Sequence, residues 1–319
     1  MATDNNEILL KGLVGSNPLG MLAATGLLRV CNEIPELAVS RLGWRMEDDW
    51  FAALTVPKGT DKDNLIDLIV RWLRNWSKEV IEWNDDIYSE PVGYKKRMIE
   101  SMQSASKEYR LIADFFTAFG SETVTAKKHL IKPTAFHMTS GQQKFLNIIQ
   151  KIDDSLRNGD VESAFREALF SQWRYEDSFH SLGWDPAAER MYALRYRAPT
   201  RDKPRCVRGA IWLGFQALPL FPTVRRNSRL ITNNFITNNY TFSKKEISLI
   251  WPIWTRPLTL DGLRSLLHCS ELASDKTGWE RLCRRGVAAV YRSVRSEFGR
   301  GYATLRPATL VYLAAGELG

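Results

Sequence analysis

Residues 7–31 read EILLKGLVGSNPLGMLAATGLLRVC, and this stretch predicts a strand, a tight turn and a buried helix in succession. Glu7–Leu10 favours a short strand because its residues are mainly aliphatic. The helix is expected to run from about Pro18 to Cys31. Ser16 or Asn17 caps it, since Ser and Asn are preferred just before a helix and Pro in its first turn.

One side of this helix carries small residues at helical spacing, namely Gly20, Ala23, Ala24 and Gly26. Because small side chains leave the backbone accessible, we expect another element to pack very close to this side. Two strands, 38–46 and 50–56, are predicted as a hairpin around the polar turn Glu47-Asp48-Asp49. The chain is therefore expected to begin with a small sheet and a closely packed helix.

The middle of the chain is predicted to be mainly helical. From Asp63 to Trp83, apolar residues recur every three or four positions, which indicates one amphipathic helix. We interpret its tryptophans as core packing rather than as a base-stacking platform. Further helices are predicted over 94–119, 140–156 and 160–175, with Gly120, Pro133 and Gly159 as the breaks.

After Trp173 the periodicity weakens and prolines interrupt the chain. A buried strand or helix is predicted at 207–215, and a helix capped by Thr259 over 260–272. Strands are predicted over 230–241 and 246–254, a helix or strand pair over 279–298, and a strand that closes a sheet over 308–314. The predicted class is α+β, with a small N-terminal sheet, a mainly helical middle and a basic, mixed α/β C-terminal half.

The two halves of the chain carry opposite charge. Residues 1–186 have 22 Lys and Arg against 27 Asp and Glu, whereas residues 187–319 have 22 against 9. With a soft boundary between 155 and 185, we predict residues 1–175 to be a scaffold that docks on other subunits. Residues 176–319 are predicted to bind nucleic acid.

The basic residues are densest between Arg190 and Arg229, where Asp202 is the single acidic residue. Arginine suits phosphate and guanine edges, so a nucleic-acid surface is favoured over a solvated basic face, which stays the alternative. The candidate contacts are Arg190, Arg195, Arg197, Arg201, Lys203, Arg205, Arg208, Arg225, Arg226, Arg229, Arg284, Arg285, Arg300, Lys127 and Lys128.

The sequence offers no signature of a metal or cofactor site. The cysteines (Cys31, Cys206, Cys269, Cys283) lack metal-ligand spacing and are expected to be buried free thiols. We also expect the acidic pairs Asp48-Asp49, Asp85-Asp86 and Asp153-Asp154 to cap helices or face solvent. No apolar run approaches the roughly 18 residues that cross a bilayer, so no membrane contact and a cytoplasmic location are expected.

Known catalytic motifs are absent, and we predict a protein that is not an enzyme. The alternative is a metal-independent ribonuclease that processes guide RNA, with His129, His137 or His180 as general acid or base. The amides of Gln142-Gln143 and Asn147 are candidates for reading base edges, although an ordinary structural role is favoured for them. The Gly-Arg-Gly turn at 299–301 either projects a guanidinium into a groove or is a plain surface turn, and both interpretations stay open.

Residues 10–29, LKGLVGSNPLGMLAATGLLR, followed by Leu42-Gly-Trp44, resemble the N-terminal signature of CRISPR-associated proteins from type I-G (formerly I-U) loci. The matching positions are Pro18, Leu19, Gly26, Leu27, Leu28 and Arg29, and their roles look structural. The class that this signature is similar to is the large subunit of type I effector complexes. The chain is shorter than such subunits usually are, which leaves open a compact variant or a smaller accessory subunit.

The resemblance implies a subunit at one end of a guide-RNA complex. Such a subunit contacts the RNA handle and the other effector subunits, and it recognises the short motif (PAM) beside a double-stranded DNA target. In this class the protein reads only the short motif, while base pairing reads the rest. Another hypothesis is an unrelated nucleic-acid-binding assembly protein.

Overall fold

The N-terminal part of the chain is a small antiparallel sheet with one helix on it. The structure is a computed structural model and describes residues 5–105, 110–188, 205–238, 246–298 and 301–314. The sheet has the strand order β1-β3-β2, with β1 at Asn5–Val14, β2 at Arg41–Met46 and β3 at Trp50–Pro57. Helix α1 (Pro18–Glu33) begins after Asn17, whose side chain accepts hydrogen bonds from the N–H groups of Leu19 and Gly20. The predicted strand, cap, helix and hairpin are all confirmed.

Helix α1 is buried and packs on helix α8 (Arg208–Gln216), which shows that the segment predicted as a strand or helix is a helix. A methyl group on Gly26 would overlap the Leu213 carbonyl oxygen and lie 3.0 Å from the Ala217 nitrogen. A methyl group on Gly20 would overlap the Val14 carbonyl oxygen in the same way. The small residues of α1 thus allow close packing as predicted, but on two elements, β1 beside Gly20 and α8 beside Gly26, rather than on one.

Between the N-terminal sheet and α8 the chain is mainly helical, as predicted. The helices are α2 (Lys62–Asn75), α3 (Glu79–Glu82), α4 (Pro91–Ser104), α5 (Leu111–Phe119), α6 (Phe145–Asn158) and α7 (Val161–Phe170). Side chains of Asp61 and Asp160 cap α2 and α7. An antiparallel pair, β4 (Gly120–Thr125) and β5 (Ile131–Pro133), lies between α5 and α6.

The predicted helix boundaries are wrong in all four middle segments, because the backbone leaves helical geometry where the sequence pattern continues. The segment 63–83 breaks at Trp76, which leaves the helix at ψ 132 and packs edge to face on Trp212 with ring centroids 5.8 Å apart. The segment 94–119 is two helices, since Ala105 is extended at ψ 127. Residues 140–144 and 171–175 lie outside helices, and each contains a positive φ, at Gly141 and Tyr175.

The C-terminal half contains a second antiparallel sheet in the order β11-β10-β9-β8. Strand β10 (Val287–Phe298) pairs with β9 (Glu246–Trp254) on one edge, and on the other with β11 (Tyr302–Leu305) and β12 (Thr309–Leu313). Strand β8 (Phe235–Asn238) borders β9. Helices α9 (Leu260–Leu267), capped by Thr259 as predicted, and α10 (Lys276–Cys283) connect β9 to β10. Helix α9 is shorter than predicted, whereas the predicted strand at 308–314 is confirmed.

Tryptophans of β9 join the second sheet to the first. Leu42 and Leu258 exchange backbone hydrogen bonds of 2.9 and 2.8 Å. The Trp254 indole donates to the Leu42 carbonyl at 2.7 Å, and the Trp251 indole donates to the Gly15 carbonyl at 2.9 Å. One apolar core includes residues from both sides of the predicted boundary at 155–185. The described residues thus form an α+β fold, as predicted.

Two of the acidic pairs contain a carboxylate that is neither solvated nor a simple cap. Asp153 is inside α6 and fully buried, where it bonds Arg157 Nε at 2.7 Å and the Trp212 indole at 3.2 Å. Asp86 accepts from Ile87 N–H and lies 2.6 Å from Nε2 of the buried His137. Capping and solubility explain Asp49, whose carboxylate accepts from Trp50 N–H, but they do not explain Asp153.

Candidate nucleic-acid interface

The hairpin β6–β7 presents three arginines at its tip. Strands β6 (Thr223–Arg226) and β7 (Arg229–Thr232) are antiparallel, and Arg226 lies directly opposite Arg229. Arg225 is opposite Leu230. All three arginines are exposed, and among the described residues none forms an ion pair or hydrogen bond with their side chains. Like charges directly opposite each other destabilise a strand pair, so this arrangement favours an external anion.

The backbone conformation of the turn at Asn227 and Ser228 explains why the β6–β7 hairpin forms. Asn227 and Ser228 have φ 48 and 62, the positive values at both central residues that a type I′ turn requires. Asn tolerates this region better than Ser does. The twist of a type I′ turn matches that of the flanking strands, so four residues per strand suffice for a defined ribbon.

We expect Ser228→Gly to stabilise the β6–β7 hairpin by up to about 1 kcal/mol, because glycine adopts a positive φ without a steric penalty. Hydrogen exchange at the cross-strand amides of β6 and β7 measures local opening and is expected to slow by up to about fivefold. Asn227→Gly is the matched control with a smaller expected gain. Equal or faster exchange in Ser228→Gly than in native protein would contradict a type I′ turn.

A second hairpin, β4–β5, meets the first. Residues 127–129 form its tip, where Lys128 and His129 are exposed and have positive φ. Strand β4 contacts both β6 and β7. At the base, the Thr232 hydroxyl lies 3.2 Å from the Thr134 hydroxyl and accepts from Ala135 N–H at 2.8 Å. We call residues 120–133 and 223–232 together the paired hairpins.

The paired hairpins carry a strong net positive charge. Their basic residues are Lys127, Lys128, Lys132, Arg225, Arg226 and Arg229, and their acidic residue is Glu122. Alternation along β6 places Arg225 on the face of the buried Thr223, and Arg226 on the face of Val224, which is 56% exposed. The structure therefore brings into contact two hairpins whose candidate residues are about a hundred positions apart in the sequence.

The other candidate arginines have different surroundings. Arg208 is half-buried, with its guanidinium 3.5 Å from Asp177 Oδ1 and its backbone N–H bonded to Oδ2, so this charge is already paired. Arg205 donates to the Glu176 carbonyl at 2.8 Å. Arg285 lies 3.3 Å from Glu271, and Arg284 is exposed at the end of α10. The candidates outside the described residues are Arg190, Arg195, Arg197, Arg201, Lys203 and Arg300.

Two candidate base-reading segments also lie together. The loop at 140–143 lies close to the start of β11, because Gly141 approaches the Tyr302 hydroxyl and Gly301 approaches the Ser140 side chain. The Ala303 N–H donates to the Met138 carbonyl at 3.1 Å. Gln142 is exposed in this loop. Gln142 thus lies near Gly301, the one residue of the Gly-Arg-Gly turn among the described residues, a proximity that the sequence does not indicate.

The histidines do not form a shared site in the described contacts. His137 is buried, stacked on Phe145 at 5.4 Å and held by Asp86, so its ring is enclosed. His180 Nδ1 accepts from Leu182 N–H, and His129 is exposed at the hairpin tip. The ribonuclease alternative therefore gains no geometric support from this part of the chain.

The cysteines are free, as predicted, but only two are buried. Burial raises the pKa of the Cys31 thiol to about 12, and it also raises the pKa of Cys206. Cys269 and Cys283 are half-buried, which corrects the expectation that all four are enclosed. Within the described residues, no group of three metal-ligating side chains comes together.

No helix among the described residues is long and apolar enough to cross a bilayer.

The sequence matches none of the protein-family models and none of the curated proteins with which it was compared. The geometry of the paired hairpins is therefore the basis for a functional proposal. Sequence reasoning missed this ribbon, although the turn signal Asn227-Ser228 between Arg225-Arg226 and Arg229 was available.

Proposed function

We propose that this chain is a non-catalytic subunit of a CRISPR guide-RNA surveillance complex and binds nucleic acid through its paired hairpins. The observation that carries the proposal is the exposed Arg226–Arg229 pair, two directly opposed cations without a carboxylate among the described residues. Phosphate groups relieve this repulsion, and arginine forks bind them with two hydrogen bonds each. The proposal of a CRISPR complex, rather than another nucleic-acid assembly, rests on the resemblance of residues 10–29 to type I-G proteins.

The shape of the β6–β7 ribbon suits double-stranded target DNA. The major groove of B-DNA, about 12 Å wide, admits a two-stranded β-ribbon. In this proposal Arg226 or Arg229 reads a guanine edge of the PAM, while Arg225 and Lys128 bind phosphates and set the register. The guide RNA handle and other effector subunits are the further proposed partners, and the cytoplasm is the proposed location.

Replacement of Arg225, Arg226 and Arg229 by Ala tests the interface. If all three contact phosphate, the slope of log affinity against log salt on duplex DNA is expected to become shallower by about 2.7, because each contact releases about 0.9 counterion. If one arginine reads a base instead, the slope changes by about 1.8 and sequence preference weakens. Fluorescence anisotropy at several salt concentrations measures both quantities.

A charge-matched control separates local contacts from overall charge. Arg71, Arg166 and Arg174 are exposed, and each pairs with a carboxylate (Glu36, Asp63 and Glu167, respectively). Their replacement by Ala removes the same formal charge and is expected to leave the slope almost unchanged. An unchanged slope in the hairpin variant, or an equal change in the control, would overturn the proposed interface.

Association with a guide complex requires its own test. Co-expression with the neighbouring genes and a guide array is expected to bring this chain into an RNA-containing particle. Nuclease treatment and size-exclusion chromatography distinguish that particle from a free chain. A lone monomer under these conditions would contradict the proposed complex, even if the paired hairpins bind DNA.

A further inference from the structure

A cleft of about 880 Å³ opens beside the base of the paired hairpins. It lies between the ends of α1 and α2, the beginnings of α5 and α9, and residues 219–222. Pro222, which directly precedes β6, and Thr117, whose carbonyl accepts from the Thr223 hydroxyl at 3.0 Å, both line it. Its volume is in the range of about 300–1,000 Å³ that is usual for small-molecule sites.

The cleft has a fixed cation at its floor. The Arg29 side chain is 3% exposed and donates to Gln216 Oε1 at 2.9 Å and to Glu33 Oε1 at 2.7 Å. It also lies over the Phe115 ring at 5.2 Å. With a third, longer bond to the Gln216 carbonyl, these contacts use three of the five N–H donors of a guanidinium. Two N–H donors of the Arg29 guanidinium are left for a ligand, and the other three hydrogen bonds hold the guanidinium in place.

Two indoles line the cleft beside this cation. Trp72 is half-buried, and both Trp72 and Trp76 pack edge to face on Trp212, at 5.7 and 5.8 Å. These contacts fix the ring orientations before a ligand arrives. The Trp76 indole N–H is buried without a hydrogen-bond partner among the described residues. An aromatic ring that is fixed and still partly accessible is a stacking platform for a flat ligand.

Polar groups complete the lining. Glu33 is 34% exposed, and burial raises its pKa above the ordinary value against the attraction of Arg29. Asn32 and Asn75 each use an amide nitrogen in a local hydrogen bond, which leaves their amide oxygens as acceptors. Arg264, 42% exposed, lies at the edge and pairs with the well-exposed Asp261. The hydrogen-bond acceptors inside the cleft suit the amino groups of a nucleobase. The Arg264 cation at its edge suits the phosphate to which the nucleobase is attached.

We propose that this cleft binds one unstacked nucleobase of a single strand whose phosphates lie on the paired hairpins. The inference rests on the proposed nucleic-acid function and adds a site for a base. Sequence-tolerant stacking on Trp72 supplies the affinity, and the acceptor groups of Glu33 and Asn75 favour bases with exocyclic amines. The tryptophan stripe of α2 thus serves the core and, at Trp72, a ligand as well.

The test compares two single-stranded probes with the same number of phosphates. One is a twelve-nucleotide oligonucleotide with all its bases, made as DNA and as RNA, and the other is the same backbone with abasic residues throughout. The native protein is expected to bind the base-containing probe about 5- to 150-fold more tightly, the range that stacking of one base supplies. The DNA and RNA arms show which strand the cleft prefers.

Variants assign this preference to the cleft. Asn75→Trp fills the cleft from an exposed position at the end of α2, and Trp72→Ala removes the platform. Both are expected to bring the affinity ratio of the two probes close to one without weakening the abasic probe. Asn64→Trp is the matched control, because Asn64 is exposed on the same helix and outside the cleft. The control is expected to keep the native ratio.

The outcomes separate this inference from the function on which it rests. The Arg225, Arg226 and Arg229 triple variant is expected to weaken both probes equally and to keep their ratio. A ratio near one in the native protein, or a native ratio in both Asn75→Trp and a folded Trp72→Ala, would overturn the nucleobase site while leaving the hairpins as a phosphate surface. If neither single-stranded probe binds the native protein, the nucleobase site is overturned, whereas the proposed function is tested separately by the salt dependence of duplex DNA binding.

Discussion

Gly26→Ala is expected to lower the free energy of unfolding by more than about 3 kcal/mol or to prevent folding altogether. The added methyl group would overlap the Leu213 carbonyl oxygen and lie 2.9 Å from the Leu213 carbonyl carbon. Those atoms belong to the backbone of α8, so a rotamer change cannot relieve the overlap and the two helices must separate. Urea unfolding followed by circular dichroism measures the loss.

Gly93→Ala is the matched control for this substitution. Gly93 is in α4, and a methyl group there would meet no heavy atom within 4 Å. Since alanine is favoured over glycine in a helix by about 1 kcal/mol, the control is expected to be more stable than the native protein. If Gly26→Ala unfolds at the same urea concentration as Gly93→Ala, α1 and α8 do not pack as described.

Asp153→Ala is expected to lower the free energy of unfolding by about 3–5 kcal/mol, because it removes one partner of a buried ion pair. The Asp153 carboxylate is fully buried between the Arg157 guanidinium and the Trp212 indole. Arg157 also donates to the carbonyls of Arg74 and Trp76, at 2.9 and 3.0 Å. Loss of the carboxylate leaves Arg157 without its anionic partner where α2, α6 and α8 meet, and it also removes the 3.5 Å ion pair between Asp153 and Lys78.

The neighbouring residue provides the control. Asp154 is 57% exposed and pairs with Lys78 at 2.6 Å on the surface of α6. Exposed pairs contribute at most about 1 kcal/mol, so Asp154→Ala is expected to change stability only slightly. Chemical unfolding of the two variants side by side measures the difference. Similar small losses in both would mean that the Asp153 carboxylate is solvated rather than enclosed.

The contrast between Asp153 and Asp154 shows what a single sequence leaves undetermined. Both are aspartates in the predicted helix α6, yet Asp154 is exposed to solvent and Asp153 is buried in the core. Asp153 contacts Arg157 and Trp212, of which Trp212 is 59 positions away, whereas Asp154 pairs with Lys78. The local pattern predicts that α6 is a helix, but it does not predict which neighbour faces each carboxylate.

The candidate interface likewise combines features that are visible in the sequence with contacts that depend on the tertiary structure. The arginine density at Arg225, Arg226 and Arg229 is visible in the sequence, and so is the basic stretch at Lys127 and Lys128. The contact between the two hairpins that carry these residues depends on hydrogen bonds between the segment after β5 and the end of β7, which are 97 and 98 positions apart. The Trp72 cleft was missed because five separate segments enclose it, and no one of them has a recognisable motif.

The strand, cap and helix of residues 7–31, the amphipathic middle and the opposite charge of the two halves can all be predicted from the sequence alone. These features depend on residues within about one helical turn of each other or on composition alone. By contrast, tertiary contacts place Gly26 against the α8 backbone, end α2 at Asn75 and bring the two basic hairpins together at their base. Each of these depends on contacts between distant segments, which local periodicity and charge do not specify.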